Sequence, residues 1–447
     1  MQNTYYIYNA TIINEGLSIQ GSLFVVGGRI EGLYPVASAI PAGCRVIDAT
    51  GKWALPGVID THVHFREPGA GYKADIRSET RAAAAGGVTS FIDMPNTTPP
   101  ATTNAAVDDK YRRASGRSII NYAFYIGATC DNLAEIRRID TGRIAGVKLF
   151  LGSSTGALLV NDDYALSALF SESPVPIVAH CEDEAILQRN LSAFRMKYGD
   201  TLPASCHPLI RSEEACLRST ERVMTLADRY RARLHVLHLS TGREAALFTG
   251  RGSITAEACI PHLLFCDDAY DRLQHLIKCN PAIKTAADRD ALRKAVAEGR
   301  ITTVASDHAP HTFDEKQQPY LAAPSGMPSI QYALPLMIDL SKNGVWTPET
   351  VVERMCHAPA RLFGIVRRGF LRPGFYADIV LLDPAGRQTI ANAAVLSKCG
   401  WTPYAGMTVA ATVTHTFVNG QLVFANGQIQ EENSGEELKV ENIDVRT

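Results

Sequence analysis

Leu55-Pro56-Gly57-Val58-Ile59-Asp60-Thr61-His62-Val63-His64-Phe65-Arg66 is the stretch on which the reading of this chain turns. A short apolar run ends in two histidines, two residues apart. On a strand, residues i and i+2 point to the same face, so both imidazoles can reach one cation. Alone, a pair with that spacing is weak evidence for a metal. Its setting gives it weight, because further apolar runs follow, most of them with reactive side chains at or near their ends.

The runs cover residues 57–60, 88–93, 119–127, 144–151, 175–179, 234–239, 253–256 and 301–306. Ala-, Leu- and Arg-rich segments lie between them, and those at 75–85, 213–230 and 287–298 predict helices. Apolar strands alternating with helical crossovers point to α/β architecture, a TIM-like (β/α)8 barrel rather than an open sheet. In such a barrel the C-terminal strand ends face one mouth, where residues distant in sequence meet. His62 and His64 follow the first run and Asn96 the second; Lys148 lies within the fourth. His180 follows the fifth run, His238 stands at the sixth, His262 follows the seventh and Asp307 the eighth. The histidine pair thereby becomes part of a candidate metal site.

Residues 1–55 and 370–430 have a different grammar of short strands and glycine turns, with Asn419-Gly420 a hairpin signal. The two ends predict one small composite β-sandwich domain beside a barrel spanning 56–369. The polar, acidic stretch 431–447 reads as a loose tail.

Composition narrows the function classes. The chain has 447 residues, 46% apolar and 20% charged, enough for a large core without disulfide staples. A formal net charge of −2 gives no electrostatic case for nucleic acid or an anionic membrane as partner. No run approaches the roughly 18 apolar residues of a membrane span, and residues 1–10 do not resemble a signal peptide. The ten cysteines form no CxxC pair, which reads as reduced thiols in a cytoplasmic protein, with any metal held by other ligands.

Asp60-Thr61-His62-Val63-His64-Phe65-Arg66-Glu67-Pro68-Gly69 resembles the first signature of the dihydroorotases, within the amidohydrolase superfamily. Ala305-Ser306-Asp307-His308-Ala309-Pro310-His311, followed by Lys316, resembles the second. Met94-Pro95-Asn96-Thr97, Val147-Lys148-Leu149-Phe150, His180-Cys181-Glu182-Asp183, His238-Leu239-Ser240-Thr241 and Asn280-Pro281 fall between them in the family's order. The resemblance covers roughly 55–362 and the terminal sheet region.

The resemblance implies zinc-dependent, reversible cyclisation of N-carbamoyl-L-aspartate to L-dihydroorotate in pyrimidine synthesis. It implies two Zn²⁺ per chain, one held by His62, His64 and Asp307, the other by His180 and His238. Lys148 would carry a CO₂-derived carbamate bridging the metals, since a protonated amine binds no cation and a carbamate offers two anionic oxygens. Some relatives bridge with an aspartate a few residues on; Leu151, three residues after Lys148, favours the carbamate. Asp307 would also be the general acid/base. Arg66, Asn96 and His311 match a clamp for the substrate carboxylate, with Asn280 reading the ring's amide edge. The expected partner is this small molecule, with a homodimer as the assembly.

Allantoinase is the near alternative. An inactive scaffold supporting a partner such as aspartate transcarbamoylase is the remote one, disfavoured because all six metal positions are kept. His262 reads equally as an orienting or a structural histidine. Glu182 and Asp183 read as acids supporting a ligand or starting a helix, and Cys181 as packing. Residues 312–325 read equally as a lid or a surface loop.

Overall fold

The Trp53–Pro56 strand belongs to one sheet and the Val58–Val63 strand to another, and the chain crosses between them at Gly57. The Gly57 N–H donates to the Asp378 carbonyl at 2.9 Å. A Cβ at this position would lie 2.1 Å from Thr89 Oγ1, so the crossing admits no side chain. The computed structural model describes residues 4–152, 158–250, 252–430 and 435–441.

The central strands are parallel and buried throughout most of their length. Val58–Val63, Val88–Asp93 and Asn121–Phe124 pair in that order. Ile126–Gly127, Val147–Phe150, Ile177–His180, Leu234–Val236, Ile254–Cys259 and Thr303–Ala305 form a second parallel sheet, also in chain order. Asn121–Phe124 leads into Ile126–Gly127 after one residue. At the other end, Val63 bridges His308 in parallel, with the His64 N–H donating to the His308 carbonyl at 2.8 Å. Every apolar run expected to be a strand overlaps one of these elements. Burial on both faces explains why they read as continuous rather than alternating.

Capping fixes where the helices start. Asp75 caps Ile76–Ala85 by accepting from Ser78 N–H, Ser212 caps Glu213–Tyr230, and Thr285 caps Ala286–Glu298. These helices begin within a residue of the expected positions. Among the described residues no helix is long and apolar enough to cross a membrane.

Strands from both ends of the chain hydrogen-bond into one nine-stranded sheet. Tyr5–Asn14 lies between Leu17–Val26 on one side and, on the other, Arg45–Asp48 followed by Trp53–Pro56. Trp53–Pro56 passes the sheet on to Ile379–Asp383, Thr412–Val418 and Gln421–Ala425. The sheet curls around its own core, bringing the Tyr5 and Phe417 rings to 5.2 Å although two strands separate theirs. The Asn419-Gly420 turn has φ of 51° and 73°, the left-handed pair that a two-residue hairpin requires.

The expected loose tail is corrected where it is described. Leu438 is fully buried and its N–H donates to the Tyr122 carbonyl at 2.8 Å; Val440 N–H donates to Gly142 at 2.9 Å. Arg143 pairs with Glu437. Acidic composition masks a two-residue alternation, Leu438 then Val440, which gives this segment an apolar face. Residues 431–434 and 442–447 lie outside the described residues. Leu438→Ala is expected to destabilise the protein by about 2–5 kcal/mol. A calorimetric scan should show a clearly lower unfolding midpoint; an unchanged midpoint would mean that the segment's packing contributes nothing.

Candidate functional site

The strand ends surround a cleft with about 490 Å³ of free space. His62, His64, Lys148, His180, His238 and Asp307 line it, as do Arg66, Asn96 and Asn280. Most hang from the C-terminal end of a parallel strand or the loop after it, the part of this architecture where binding groups gather; Lys148 lies within its strand and Asn280 follows the turn of helix at Gln274–Ile277.

Hydrogen bonds fix the tautomers of the imidazoles. His62 Nδ1 lies 2.7 Å from Glu257 Oε1 and His64 Nδ1 lies 2.8 Å from Asn96 Oδ1. Both partners only accept, so each Nδ1 carries the hydrogen and each Nε2 presents a lone pair. Those Nε2 atoms stand 3.3 and 3.2 Å from Asp307 Oδ1. His180 repeats the pattern inverted. Its Nε2 donates to Glu182 at 2.7 Å, leaving the Nδ1 lone pair facing His238 Nε2 at 2.9 Å. Lone pairs and a carboxylate aimed at common points repel unless a cation lies among them, so the donor set fits metal. His62, His64 and Asp307 form one cluster of metal-binding character.

Burial lowers His64 to about 4 and pushes His238 well below the usual histidine range, favouring the uncharged form of these two rings. Burial opposes ionisation of Asp307, but the facing His62 and His64 overcome it and hold the carboxyl below its ordinary value. Lys148 is buried with Nζ 4.5 Å from the Phe150 ring. No described carboxylate pairs with it, and burial lowers its ammonium to about 8. Arg66, His238 and Asp307 adopt φ of 64°, 37° and 46°, a left-handed backbone that costs non-glycine residues energy and concentrates at functional sites.

Also lining the cleft, Arg66 donates from Nε to the Pro310 carbonyl at 3.0 Å, and its Nη2 lies 3.0 Å from His311 Nε2. Asn96 spends its oxygen on His64, leaving its amide hydrogens available. Asn280 Oδ1 is buried without a partner, a polar atom in need of a ligand. His311 is not on the cleft wall; it stands behind Arg66. His262 bonds the Pro281 carbonyl at 3.0 Å, a structural contact. The stretch 312–325 is pinned: the buried Lys316 ammonium donates to the carbonyls of Lys278, Pro324 and Gly326 at 3.0, 2.8 and 2.8 Å. Gly326, at φ 129°, also lines the cleft, where a Cβ would meet the Ala309 carbonyl at 2.7 Å.

Sequence reasoning missed Glu257 and Arg211, while Glu182, read as an acid supporting a ligand or starting a helix, bonds His180. Glu257 accepts from His62 and from Thr61 Oγ1 at 3.2 Å. Burial disfavours its charge, yet the neighbouring His62 and His235 hold its carboxyl well below the usual range. An acid inside the apolar run Ile254-Thr255-Ala256-Glu257-Ala258-Cys259 was the available signal. Arg211 grips Glu182 with Nη2 at 2.5 Å, holding the carboxylate against His180. Asp183 is a cap, accepting from Ile186 N–H. Asp60 accepts from the N–H groups of His62 and Ser306, both at 3.2 Å, and so ties the first strand to the end of the last; burial raises its carboxyl to about 6.

The amidohydrolase family model matches residues 53–423. A dihydroorotase of Halobacterium salinarum is 34% identical over 389 residues, covering 85% of this chain and 88% of its own. An allantoinase of Streptomyces avermitilis is 31% identical, covering 91% and 92%. Among solved structures, the L-hydantoinase (dihydropyrimidinase) of Arthrobacter aurescens superposes with a TM-score of 0.93 at 27% identity, over 97% of this chain and 99% of that one. A cleft of converging imidazoles and a carboxylate, within a match covering most of the chain, places this protein in the amidohydrolase family.

Proposed function

We propose that the chain catalyses the reversible cyclisation of N-carbamoyl-L-aspartate to L-dihydroorotate. The observation that carries this reading is Arg66, a guanidinium that lines the same cleft as the metal-binding cluster, together with Asn96, which bonds His64. Dihydroorotate has a carboxylate that the reaction leaves untouched, and a planar cation is suited to holding it. Several dihydroorotases at 30–34% identity support the same reading. The allantoinase relative makes allantoin the alternative substrate. We read the two parallel sheets as one (β/α)8 barrel, continuous through Tyr125 and closed between Val63 and His308.

His62, His64 and Asp307 would hold one zinc, His180 and His238 a second, and a carbamate on Lys148 both. With Lys148 near 8, a fraction of its amine is neutral at physiological pH and can add CO₂, losing a proton. When bound, the metals polarise the amide carbonyl and lower the pKa of water to about 7. Asp307 accepts the proton of the attacking water during ring opening and delivers it to the leaving ring nitrogen. In cyclisation it takes a proton from the carbamoyl nitrogen as that nitrogen attacks the side-chain carboxyl carbon, and passes it to the carboxyl oxygen whose bond to that carbon breaks, so that oxygen leaves as water. Arg66 and the Asn96 amide orient the substrate through its free carboxylate. Asn280 Oδ1 accepts a ring N–H. The working form is read as a cytoplasmic homodimer, an expectation carried by the family resemblance; all ten cysteines are unpaired.

The purified protein is expected to open L-dihydroorotate in preference to allantoin and dihydrouracil, with about two zinc per chain. Activity on allantoin alone would sink the reading of Arg66. Asp307→Asn is expected to abolish turnover; a variant that retains metal and full activity would remove Asp307 from proton transfer. Glu257→Gln should weaken zinc retention about 10–100-fold in competition with a chelator, because His62 loses its orienting acceptor. Unchanged retention would show that Glu257 does not act through the metal.

A further inference from the structure

His311 lies behind Arg66 in a chain of polar side chains, running from the surface inward, that the proposed chemistry does not use. Glu315 starts the chain. Its carboxylate accepts from Thr312 N–H at 3.0 Å in a capping box. Its other oxygen accepts from Tyr72 Oη at 3.0 Å and from Lys73 Nζ at 2.9 Å. Lys73 Nζ is also 3.0 Å from His311 Nδ1. On the far side of the ring, His311 Nε2 lies 3.0 Å from Arg66 Nη2 and 3.1 Å from the Ser325 carbonyl.

These contacts select one tautomer. With the hydrogen on Nδ1, the ring would push an N–H against the Lys73 ammonium and a lone pair against the Ser325 oxygen. With the hydrogen on Nε2, both contacts become hydrogen bonds, and only the Arg66 contact sets donor against donor. Lys73 thus dictates an Nε2–H beside the Arg66 fork. With that hydrogen donated to Ser325, His311 cannot accept from Arg66 Nη2, 3.0 Å away, and the Nη2 hydrogens stay available to an anionic oxygen in the cleft. Burial and the flanking Arg66, Lys73 and Lys316 charges keep the imidazole neutral, far below the usual histidine range.

We infer that Lys73 is a positioning residue for carboxylate selectivity: by donating to His311 Nδ1 it fixes the Nε2–H tautomer, which holds the Ser325 carbonyl and keeps the Arg66 Nη2 hydrogens for a ligand in the cleft. The inference rests on the reading that Arg66 binds the substrate's free carboxylate. Lys73 touches no substrate. Its effect is expected in how well a carboxylate-bearing ring is preferred, more than in the rate of bond breaking.

The test compares wild type, Lys73→Met and Lys73→Arg as zinc-loaded proteins on L-dihydroorotate and on dihydrouracil, which lacks the carboxylate. Lys73→Met is expected to lower the preference for dihydroorotate about tenfold, through KM more than kcat, and Lys73→Arg to restore most of it. Nitrogen-15 spectra of histidine-labelled wild type should report His311 as the Nε2–H tautomer. An Nδ1–H tautomer in the wild type overturns the inference, whether or not Lys73→Met folds. So does a folded Lys73→Met that keeps the wild-type preference or loses both activities equally. A wild type indifferent to the carboxylate would instead overturn the parent reading of Arg66.

Discussion

The structure depends on holding several acceptor atoms against one another. Two imidazole lone pairs and an Asp307 oxygen meet within 3.3 Å, and a third lone pair faces His238. Left alone, such rings would turn away or take up protons. They are held by partners that can only accept: Glu257 for His62, the Asn96 oxygen for His64, Glu182 for His180. Each partner is itself buried or clamped, Glu182 by Arg211 and Glu257 by Thr61. The frustration at the centre is therefore sustained by a surrounding layer of satisfied hydrogen bonds, and the positive φ of His238 and Asp307 is part of the same cost.

The sheets serve that layer. Asp60 accepts backbone N–H groups from the first strand and from just beyond the last, fixing His62 relative to Asp307. The glycine crossing at Gly57 lets the small sheet and the parallel sheet share a single strand path, so the terminal strands brace the strand that carries both histidines. Arg368 extends this bracing: it pairs with Asp378 at 2.5 Å and reaches Asn419, whose amide donates to Asn121 at 2.8 Å on the third parallel strand. Both ends of the chain are thus tied into the scaffold of the cleft by buried polar contacts as well as by apolar packing.

How much of this is legible from residues follows from the kind of signal each feature leaves. Parallel strands buried on both faces appear as apolar runs, and helices starting at Asp75, Ser212 and Thr285 announce themselves through their caps. The residues lining the cleft could be placed because they sit at strand ends. Glu257 and Arg211 were harder, since their role depends on which partner faces them across the fold, and sequence spacing does not encode that; Glu182, two residues from His180, could be read as its support. His311 shows the converse: the residue type was right for a carboxylate clamp, yet the loop geometry set by Lys316 places it behind Arg66. The segment 435–441 was misread because average acidity outweighed the alternation of Leu438 and Val440.

The cleft divides into halves with different demands. The imidazole and carboxylate half suits hydrolysis of any cyclic amide, which agrees with a TM-score of 0.93 to a hydantoinase at only 27% identity. Selectivity must then come from the other half, where the backbone is pinned rather than free. A guanidinium on a mobile loop would lose orientation each time it released product. Here Arg66 is anchored through Nε to Pro310, and the Ser325–Gly326 wall beside it is locked by the Lys316 ammonium. Binding a small anion rigidly requires that its ligands be positioned before it arrives, because the ordering cost otherwise falls on each binding event. A scaffold shared among several ring-opening chemistries can thus specialise by fixing one arginine and its neighbours, without disturbing the acceptor cluster beside them.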